Sequence, residues 1–181
     1  LSLRATAAPR AITPRGPLLP QEAALTQLFD QIAPSVAYIY TERLERTDFF
    51  RVETTQGAGS GFVWDGRGHI VTNYHVVAGA SKVQVQLDAG KPINARVVGA
   101  APDYDLAVVQ LAEVARDLRP IPLGTSRDLR IGQSVLAIGN PFGLSRTLTT
   151  GIVSALDRNL PTTEYAEVSG AIQTDAAINP G

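Results

Sequence analysis

The sequence predicts an all-β protein that is built from short antiparallel strands. Its apolar residues come in short runs rich in β-branched side chains, and Gly, Pro, Asp and Asn separate these runs. In the run Lys82–Leu87 valines alternate with polar residues, which is the pattern of a strand with one buried face. Runs that are punctuated in this way are typical of a β-barrel or a β-sandwich.

The first half of the chain predicts one helix and six strands. Residues 1–20 carry prolines at positions 9, 14, 17 and 20 and are expected to form a tail or linker. Residues 22–32 have apolar side chains at helical spacing and stop before Pro34, so we expect a short amphipathic helix that packs on a sheet. A loop is expected over 47–56 and a hairpin turn over 65–68. Strands are predicted over residues 36–41, 61–64, 69–74, 82–87, 93–98 and 106–111.

The second half of the chain predicts a boundary and then about half of a similar set of strands. Residues 112–130 form a polar connection with prolines at 120 and 122, which indicates the boundary. Residues 157–169 contain a proline and are expected to form a long loop. Three further strands are predicted over residues 134–138, 147–156 and 170–174.

The composition excludes several classes of function. The formal net charge of -1 gives no electrostatic case for binding nucleic acid or an anionic membrane surface. No run reaches the ~18 apolar residues of a membrane-spanning helix, so no transmembrane segment is expected. The chain has no cysteine, which removes disulfides and thiolate metal sites. We expect neither a cofactor nor a bound metal.

His75 is the first candidate for a catalytic side chain. It stands in the β-branched run Val71–Val77, which breaks at the small residues 78–80, and we expect it at a strand end. Histidine can take and return a proton near neutral pH, although an isolated histidine at a strand end more often only caps the strand. Asp105 opens the apolar run 105–109 and could fix the imidazole tautomer as a half-buried carboxylate. Asp103 points to the same face and stays an alternative.

A glycine-rich stretch over residues 57–62 invites a nucleotide-binding interpretation, which fails on inspection. Its pattern is G-x-G-x-G, and a strand follows it instead of the helix N-terminus that a phosphate needs. We expect that these glycines allow a close approach of the backbone inside a barrel.

Five segments together resemble one known family, the HtrA/Deg serine proteases. They occur in the family's order and cover roughly residues 36–181. Two further stretches, Gly61–Asp65 and Leu118–Pro122, are similar to the Deg1 type of chloroplasts and its bacterial relatives. The five segments are Thr72-Asn73-Tyr74-His75-Val76-Val77, Asp105-Leu106-Ala107, Ala137-Ile138-Gly139-Asn140-Pro141-Phe142-Gly143, Thr150-Gly151-Ile152-Val153-Ser154-Ala155 and Ile172 to Gly181.

This resemblance implies a chymotrypsin-like double β-barrel with the triad in the chain order His, Asp, Ser. It divides the chain into a tail (1–20), a helix with a complete first barrel (21–127) and an incomplete second barrel (128–181). His75 would be the general base and then the general acid, and Asp105 would orient it.

The resemblance also implies the residues that would meet the substrate. Gly181 would supply one amide of the oxyanion hole. Ala177 and Ile178 would line the pocket for the residue before the scissile bond. Ala177 stands where trypsin-like relatives keep an aspartate, so a preference for small aliphatic side chains is expected.

The family motif continues with Asn-Ser-Gly-Gly after the glycine that matches Gly181, and the sequence of 181 residues does not contain this continuation. We therefore expect that this chain is the N-terminal part of a serine endopeptidase for protein quality control. By itself it would be inactive because it lacks the nucleophile. The alternatives are a non-catalytic, chaperone-like relative that binds unfolded polypeptides, and an unrelated β-barrel binding module.

The resemblance further implies the partners and the location of the protein. The partners would be unfolded or damaged polypeptides, and the parent protein would be a homotrimer or a higher oligomer that residues 17–29 help to hold. The location would be the bacterial periplasm or, in a plant, the thylakoid lumen.

Overall fold

The computed structural model describes residues 10–48, 51–88, 90–114, 117–139, 146–163 and 166–178. Its described residues form two α-helices and nine strands. The helices are α1 (Pro20–Ile32) and α2 (Tyr74–Val77). The strands are β1 (Val36–Asp48), β2 (Arg51–Val63), β3 (His69–Asn73), β4 (Lys82–Leu87), β5 (Ile93–Ala101), β6 (Leu106–Leu111), β7 (Ser134–Gly139), β8 (Thr147–Thr163) and β9 (Ala166–Thr174).

The strands form two antiparallel units. The first six close into a barrel in the order β1-β2-β3-β6-β5-β4, and the last three form a sheet in the order β7-β8-β9. The prediction of an all-β fold with a complete first barrel and part of a second one is therefore confirmed. Between the two units, the described residues of 112–133 form neither helix nor strand.

The core fills the interior of the barrel with small β-branched and aliphatic side chains. Along β4 and β6 every second residue is buried, as a strand with one inward face requires. The two valines of α2 join this core from outside the strands. The buried cluster consists of Ala37, Ile39, Val63, Ile70, Val76, Val77, Val83, Val85, Ala107, Val109 and Leu111.

The glycines of β2 allow other groups to approach its inner face closely. A Cβ on Gly59 would lie 2.5 Å from a methyl group of Val76, and one on Gly61 would lie 2.7 Å from the carbonyl oxygen of Val71. A Cβ on Gly57 would lie 2.6 Å from the hydroxyl of Thr41. The three glycines therefore permit close packing inside the barrel, as the sequence predicts.

Two of the predicted loops are wrong, because their described residues lie in strands. The described residues of 47–56 belong to β1 and β2, and the described residues of 157–169 belong to β8 and β9. The side chains of residues 53–56 are exposed, so these positions lack the apolar alternation that marks a strand with one buried face. The pairing of β8 with β9 is interrupted by several register shifts, which removes a regular pattern there as well.

Helix α1 forms as predicted, but it packs less than expected. Its N-terminus is fixed by the Glu22 carboxylate, which accepts a hydrogen bond of 2.8 Å from the backbone amide of Leu19. Leu25, Phe29 and Ile32 are only half-buried, and Leu28 is exposed. The apolar face of α1 is thus incompletely covered by the described residues. No helix among them is long and apolar enough to cross a membrane.

Arg146 links the second sheet to the barrel. It directly precedes β8, and its side chain is only 13% exposed. One guanidinium nitrogen pairs with Asp88 at 2.8 Å, and two nitrogens approach the carbonyl oxygen of Val36 at 3.4 Å. Because Val36 begins β1 and Asp88 follows β4, this one side chain ties the start of β8 to two strands of the barrel.

Candidate active site

His75 lies on the one-turn helix α2, which directly follows β3. The strand predicted over residues 69–74 ends at Asn73, so His75 stands on a helical turn and not at the strand end itself. Val76 and Val77 are both buried, and two successive residues of a strand would point to opposite faces. The helical turn brings both valines into the barrel core, and Gly79, which has a φ of 68°, follows its C-cap residue Ala78.

Asp105 reaches His75 because two antiparallel neighbours meet there. The last residue of β3, Asn73, pairs with the first residue of β6, Leu106, so the end of one strand lies beside the beginning of the other. Asp105 follows the 3₁₀ turn Pro102–Tyr104 and adopts a left-handed backbone conformation with a φ of 51°. Aspartate tolerates this conformation better than most residues do.

The side chain of Asp105 contacts His75 at two points. Its Oδ2 lies 2.7 Å from Nδ1 of the His75 ring, and its Oδ1 accepts a hydrogen bond of 2.9 Å from the His75 backbone amide. With the proton on Nδ1, the ring donates to the carboxylate and presents Nε2 as an acceptor. The structure thus brings Asp105 to His75, and Asp103 lies exposed in the preceding turn.

The surroundings of the pair favour an ionised aspartate beside an open imidazole. Desolvation raises the pKa of Asp105, but hydrogen bonds from the amide and ring of His75 and from Asn73 outweigh it, so the pKa lies below the usual 3.8. The His75 side chain is 71% exposed and that of Asp105 is 34% exposed. The ring is therefore held from one side and open to a reacting group from the other.

Two further side chains that sequence reasoning missed hold this site. The Asn73 amide donates to Oδ2 of Asp105 at 3.1 Å, and Arg43 of β1 donates to the carbonyl oxygen of His75 at 2.8 Å. Asn73 could have been noticed because it immediately precedes a helix, where asparagine is favoured. Arg43 gives no signal in the sequence, since it comes from a strand more than thirty residues away.

The residues predicted to line the substrate pocket lie on the segment after β9. Ala177 accepts a hydrogen bond of 2.7 Å from the hydroxyl of Thr149, and Ile178 is exposed. Asp175 accepts one of 2.7 Å from the amide of Ile152, which fixes the segment against β8. A Cβ at Gly151 would collide with Asp175 and Ala176, so glycine permits this contact. Gly181 lies outside the described residues.

The structure contains a second His–Asp pair, which the sequence analysis did not recognise. Nδ1 of His69 lies 2.8 Å from Oδ2 of Asp65, across the turn between β2 and β3. Arg67 donates to both oxygens of Asp65, with its amide and its guanidinium, and the pKa of Asp65 is strongly lowered. In that shift, hydrogen bonds from His69 and Arg67 outweigh desolvation. Both oxygens of the Asp65 carboxylate therefore accept hydrogen bonds from within the turn. The His69 side chain is also much less exposed than that of His75.

A cleft of about 600 Å³ is lined in part by this second pair, and His75 is not among its lining residues. It is lined mostly by apolar residues on the outer faces of β3, β5 and β6, among them Val71, Ala100 and Val108. The exposed His75–Asp105 pair is a better candidate for the active site than this cleft, because proton transfer requires an accessible and oriented imidazole. Within the described part of the chain, no three His, Asp or Glu side chains cluster as metal ligands would.

The barrel, the second antiparallel sheet and the histidine–aspartate pair between two neighbouring strands define a trypsin-like peptidase domain. The profile of that family, "Trypsin-like peptidase domain", matches residues 59–181. Within this class, the chain belongs to the HtrA/Deg family of serine proteases, as the following comparisons show.

Relatives from a plant and a bacterium are similar in sequence. Protease Do-like 1, chloroplastic, of Arabidopsis thaliana is 51% identical over 88% of this chain. A probable periplasmic serine endoprotease, DegP-like, of Halomonas elongata is 46% identical over 71% of it. The chain spans only 37% and 26% of the lengths of these relatives. The crystal structure of Deg5 superimposes with a TM-score of 0.73 and 45% identity, covering 90% of this chain and 77% of that one.

Proposed function

We propose that His75 and Asp105 are the general base and the orienting carboxylate of a serine endopeptidase. The observation that carries this proposal is the distance of 2.7 Å between His75 Nδ1 and Asp105 Oδ2 at an exposed ring. In this role, Nε2 of His75 takes the proton of the attacking serine and later returns it to the leaving amine. Asp105 holds the tautomer and stabilises the imidazolium that forms in between.

We further propose that none of the 181 residues of this chain serves as the attacking serine. The family's Asn-Ser-Gly-Gly motif would follow the glycine that matches Gly181, and the sequence does not contain it. We therefore propose that this polypeptide by itself does not hydrolyse peptide bonds. The residual contribution of binding and polarisation does not replace a nucleophile.

The substrate side of the site would lie on the segment that follows β9. Gly181 is proposed to donate one backbone amide to the oxyanion, and Ala177 and Ile178 to line the pocket before the scissile bond. The hydrogen bonds that this segment accepts from Thr149 and Ile152 support the proposal, since a pocket wall has to be fixed in place. The side chains at positions 177 and 178 are uncharged, which favours small aliphatic residues in the substrate.

The proposed substrates are unfolded or damaged proteins, and the proposed assembly is a trimer or higher oligomer. The incompletely covered apolar face of α1 supports a contact between subunits through residues 17–29. The relatives are described as chloroplastic or periplasmic proteins. We accordingly propose the bacterial periplasm as the location of this protein, with the thylakoid lumen as the alternative in a plant.

The proposal is tested with a chimera that joins residues 1–181 to the remaining protease domain of Protease Do-like 1. We expect the chimera to degrade unfolded casein and to react with a serine-directed fluorophosphonate. The 181-residue chain alone should do neither. His75→Ala and Asp105→Asn should each lower the turnover of the chimera by about 10⁴-fold or more, because the serine then lacks an oriented base.

His69→Gln is the matched control, because it changes the other histidine that is paired with an aspartate. We expect this variant of the chimera to keep its turnover within about a factor of two, provided that thermal unfolding shows it to be folded. Full activity of the chimera with His75→Ala would refute the assignment. Labelling of the 181-residue chain would refute the proposal that it lacks a nucleophile. Suppression of aggregation by an inert chimera would favour the chaperone-like alternative.

A further inference from the structure

The Asn73 side chain makes contacts with Asp105 that no step of the proposed mechanism uses. Its amide nitrogen donates to Oδ2 of Asp105 at 3.1 Å and to the backbone carbonyl oxygen of Asp105 at 3.2 Å. Oδ2 is the same oxygen that lies 2.7 Å from Nδ1 of His75. One asparagine nitrogen therefore bridges the side chain and the main chain of the aspartate.

The backbone at Asp105 needs such support because it adopts a left-handed conformation, which costs free energy for any residue with a Cβ. Two backbone hydrogen bonds hold it there. The amide of Asp105 donates to the carbonyl oxygen of Pro102 at 3.0 Å, and its carbonyl oxygen accepts from the amide of Tyr74 at 3.0 Å. The Asn73 side chain adds a third contact, the only one of these three that also reaches the carboxylate.

We infer that Asn73 is a positioning residue, which keeps Oδ2 of Asp105 directed at Nδ1 of the His75 ring. The inference rests on the proposed function of the His75–Asp105 pair. It adds a residue to which that proposal gives no role.

The two carboxylate oxygens of Asp105 have different donors. Oδ1 is fixed by the His75 amide at 2.9 Å, whereas Oδ2 faces the ring and the Asn73 amide. With the carboxylate 34% exposed, water can replace a lost donor, and the group can then turn away from the ring. Asn73 prevents this rotation of the carboxylate, because its amide nitrogen bonds to Oδ2 beside the His75 ring. The same nitrogen is held in place by the backbone carbonyl oxygen of Asp105.

The second His–Asp pair provides an internal reference for the experiment. His69 and Asp65 are separated by 2.8 Å, almost the same distance as in the first pair, and the chain has only two histidines. Arg67 and the His69 amide, not an asparagine, supply the other donors to Asp65. A change at position 73 should therefore affect one imidazole and leave the other unchanged.

The experiment measures both imidazole Nδ1–H protons by NMR in the 181-residue chain labelled with ¹⁵N-histidine. In Asn73→Ala we expect the His75 proton to exchange with water about tenfold faster and to move upfield, while the His69 signal stays constant. The pKa of the Asp105 carboxyl, followed by ¹³C NMR, should rise, because one of the donors that lower it is lost. Asn94→Ala, which removes an asparagine bonded to Gln84 on the far strands, is the control and should change neither signal.

The outcomes separate this inference from the proposed function. An unchanged His75 signal in folded Asn73→Ala would overturn the inference whatever the activity of the chimera. If Asn73→Ala does not fold, Asn73→Asp, which keeps the shape but loses the donor, is judged by the same criterion. In the chimera we expect Asn73→Ala to lower kcat about tenfold with little change in KM. An inert chimera with the NMR effect intact would refute the proposed function and leave the positioning role standing.

Discussion

The orientation of the His75 ring depends on groups from several parts of the barrel as well as on its aspartate. Arg43 donates to the carbonyl oxygens of His75 and Val76 at 2.8 and 3.4 Å, where a one-turn helix leaves its last carbonyls without helical partners. Asp105 holds the backbone amide of the same histidine. The residue is thus fixed at its amide, its carbonyl and its ring, which is the arrangement that general base catalysis requires.

At the scale of single residues, the lowered pKa of Asp105 predicts how the free energy of unfolding depends on pH. A carboxyl with a lowered pKa in the folded state stabilises that state above its unfolded pKa of 3.8, and it loses this contribution as the pH falls through the folded value. We expect Asp105→Asn to destabilise the chain at pH 7 and the difference from the wild type to shrink as the pH falls below 3.8. Urea unfolding followed by the fluorescence of Trp64, the single tryptophan, measures this at pH 7, 5 and 3.

Asp103→Asn is the matched control for this prediction, because Asp103 lies two residues earlier and is exposed. It should unfold like the wild type at each pH. A constant stability difference between Asp105→Asn and the wild type from pH 7 to pH 3 would contradict the expected loss of the ionised contact.

At the scale of elements, the position of α2 depends on the small residues of β2. A Cβ at Gly59 would lie 2.5 and 2.8 Å from the two methyl groups of Val76, so Gly59→Ala should force the helical turn outward. We expect a loss of about 1–3 kcal/mol in the free energy of unfolding, which is typical of overpacking. Urea unfolding measures this loss. The imidazole signal of His75 should shift as well, because its helix moves.

The cause can be checked by removing the colliding group. Gly59→Ala combined with Val76→Ala should be less destabilised than the sum of the two single variants, with a coupling of about 0.5–3 kcal/mol. Gly66→Ala is the control, since no atom lies within 4 Å of a Cβ built there. Strict additivity of the two substitutions would exclude a steric clash as the reason.

The strands and the helix α2 show how far the fold could be predicted from the sequence. β4 and β6 match their predicted ranges because each has one face in the core and alternates accordingly. The sequence predicts a loop over the distal parts of β1 and β2, because exposed hairpin strands show no such alternation. The helix α2 was missed because the β-branched run 71–77 favours a strand locally, and only the burial of two successive valines requires a turn.

Asp105 could be predicted from its place at the start of an apolar strand, whereas Arg43 could not be predicted from the sequence around it. The apolar run after Asp105 indicated which aspartate would stand at the start of a strand, and the structure brings that residue to His75. The catalytic role of the pair stays a prediction. Arg43 gives no signal because nothing in the local sequence tells that its strand lies beside His75. The second His–Asp pair spans only four residues across the predicted hairpin turn, so its spacing was the signal that could have revealed it.

At the scale of the whole molecule, Arg146 predicts how firmly the second sheet is held on the barrel. Its side chain is 13% exposed and joins β8 to Val36 and Asp88. We expect Arg146→Met to increase amide hydrogen exchange at the start of β8 and of β1 by about five- to tenfold. Exchange in β3 and β6 should not change, because the hydrogen bonds described for Arg146 reach only Val36 and Asp88, which lie outside these two strands. Exchange followed by mass spectrometry measures both regions.

Arg158→Met is the control for this prediction, because Arg158 bonds to Gln173 within the second sheet and contacts no barrel residue in the described hydrogen bonds. It should leave the exchange of β1 unchanged. Uniformly faster exchange in Arg146→Met, including β3 and β6, would mean that the whole domain is weakened. Arg146 would then not act as a local link.

Because Asp105 has a left-handed backbone conformation, the residues that allow this position to fold differ from those that would allow it to orient His75. Asparagine and glycine enter this conformation most easily, so a selection for expression or solubility should tolerate them better than other replacements of aspartate. Neither carries a negative charge toward the imidazole, so a selection for proteolysis in the chimera should keep aspartate alone. In a saturation library we expect the two selections to keep the same residues at most barrel positions. At position 105 they should keep different residues, which would show that proteolysis and not folding requires aspartate there.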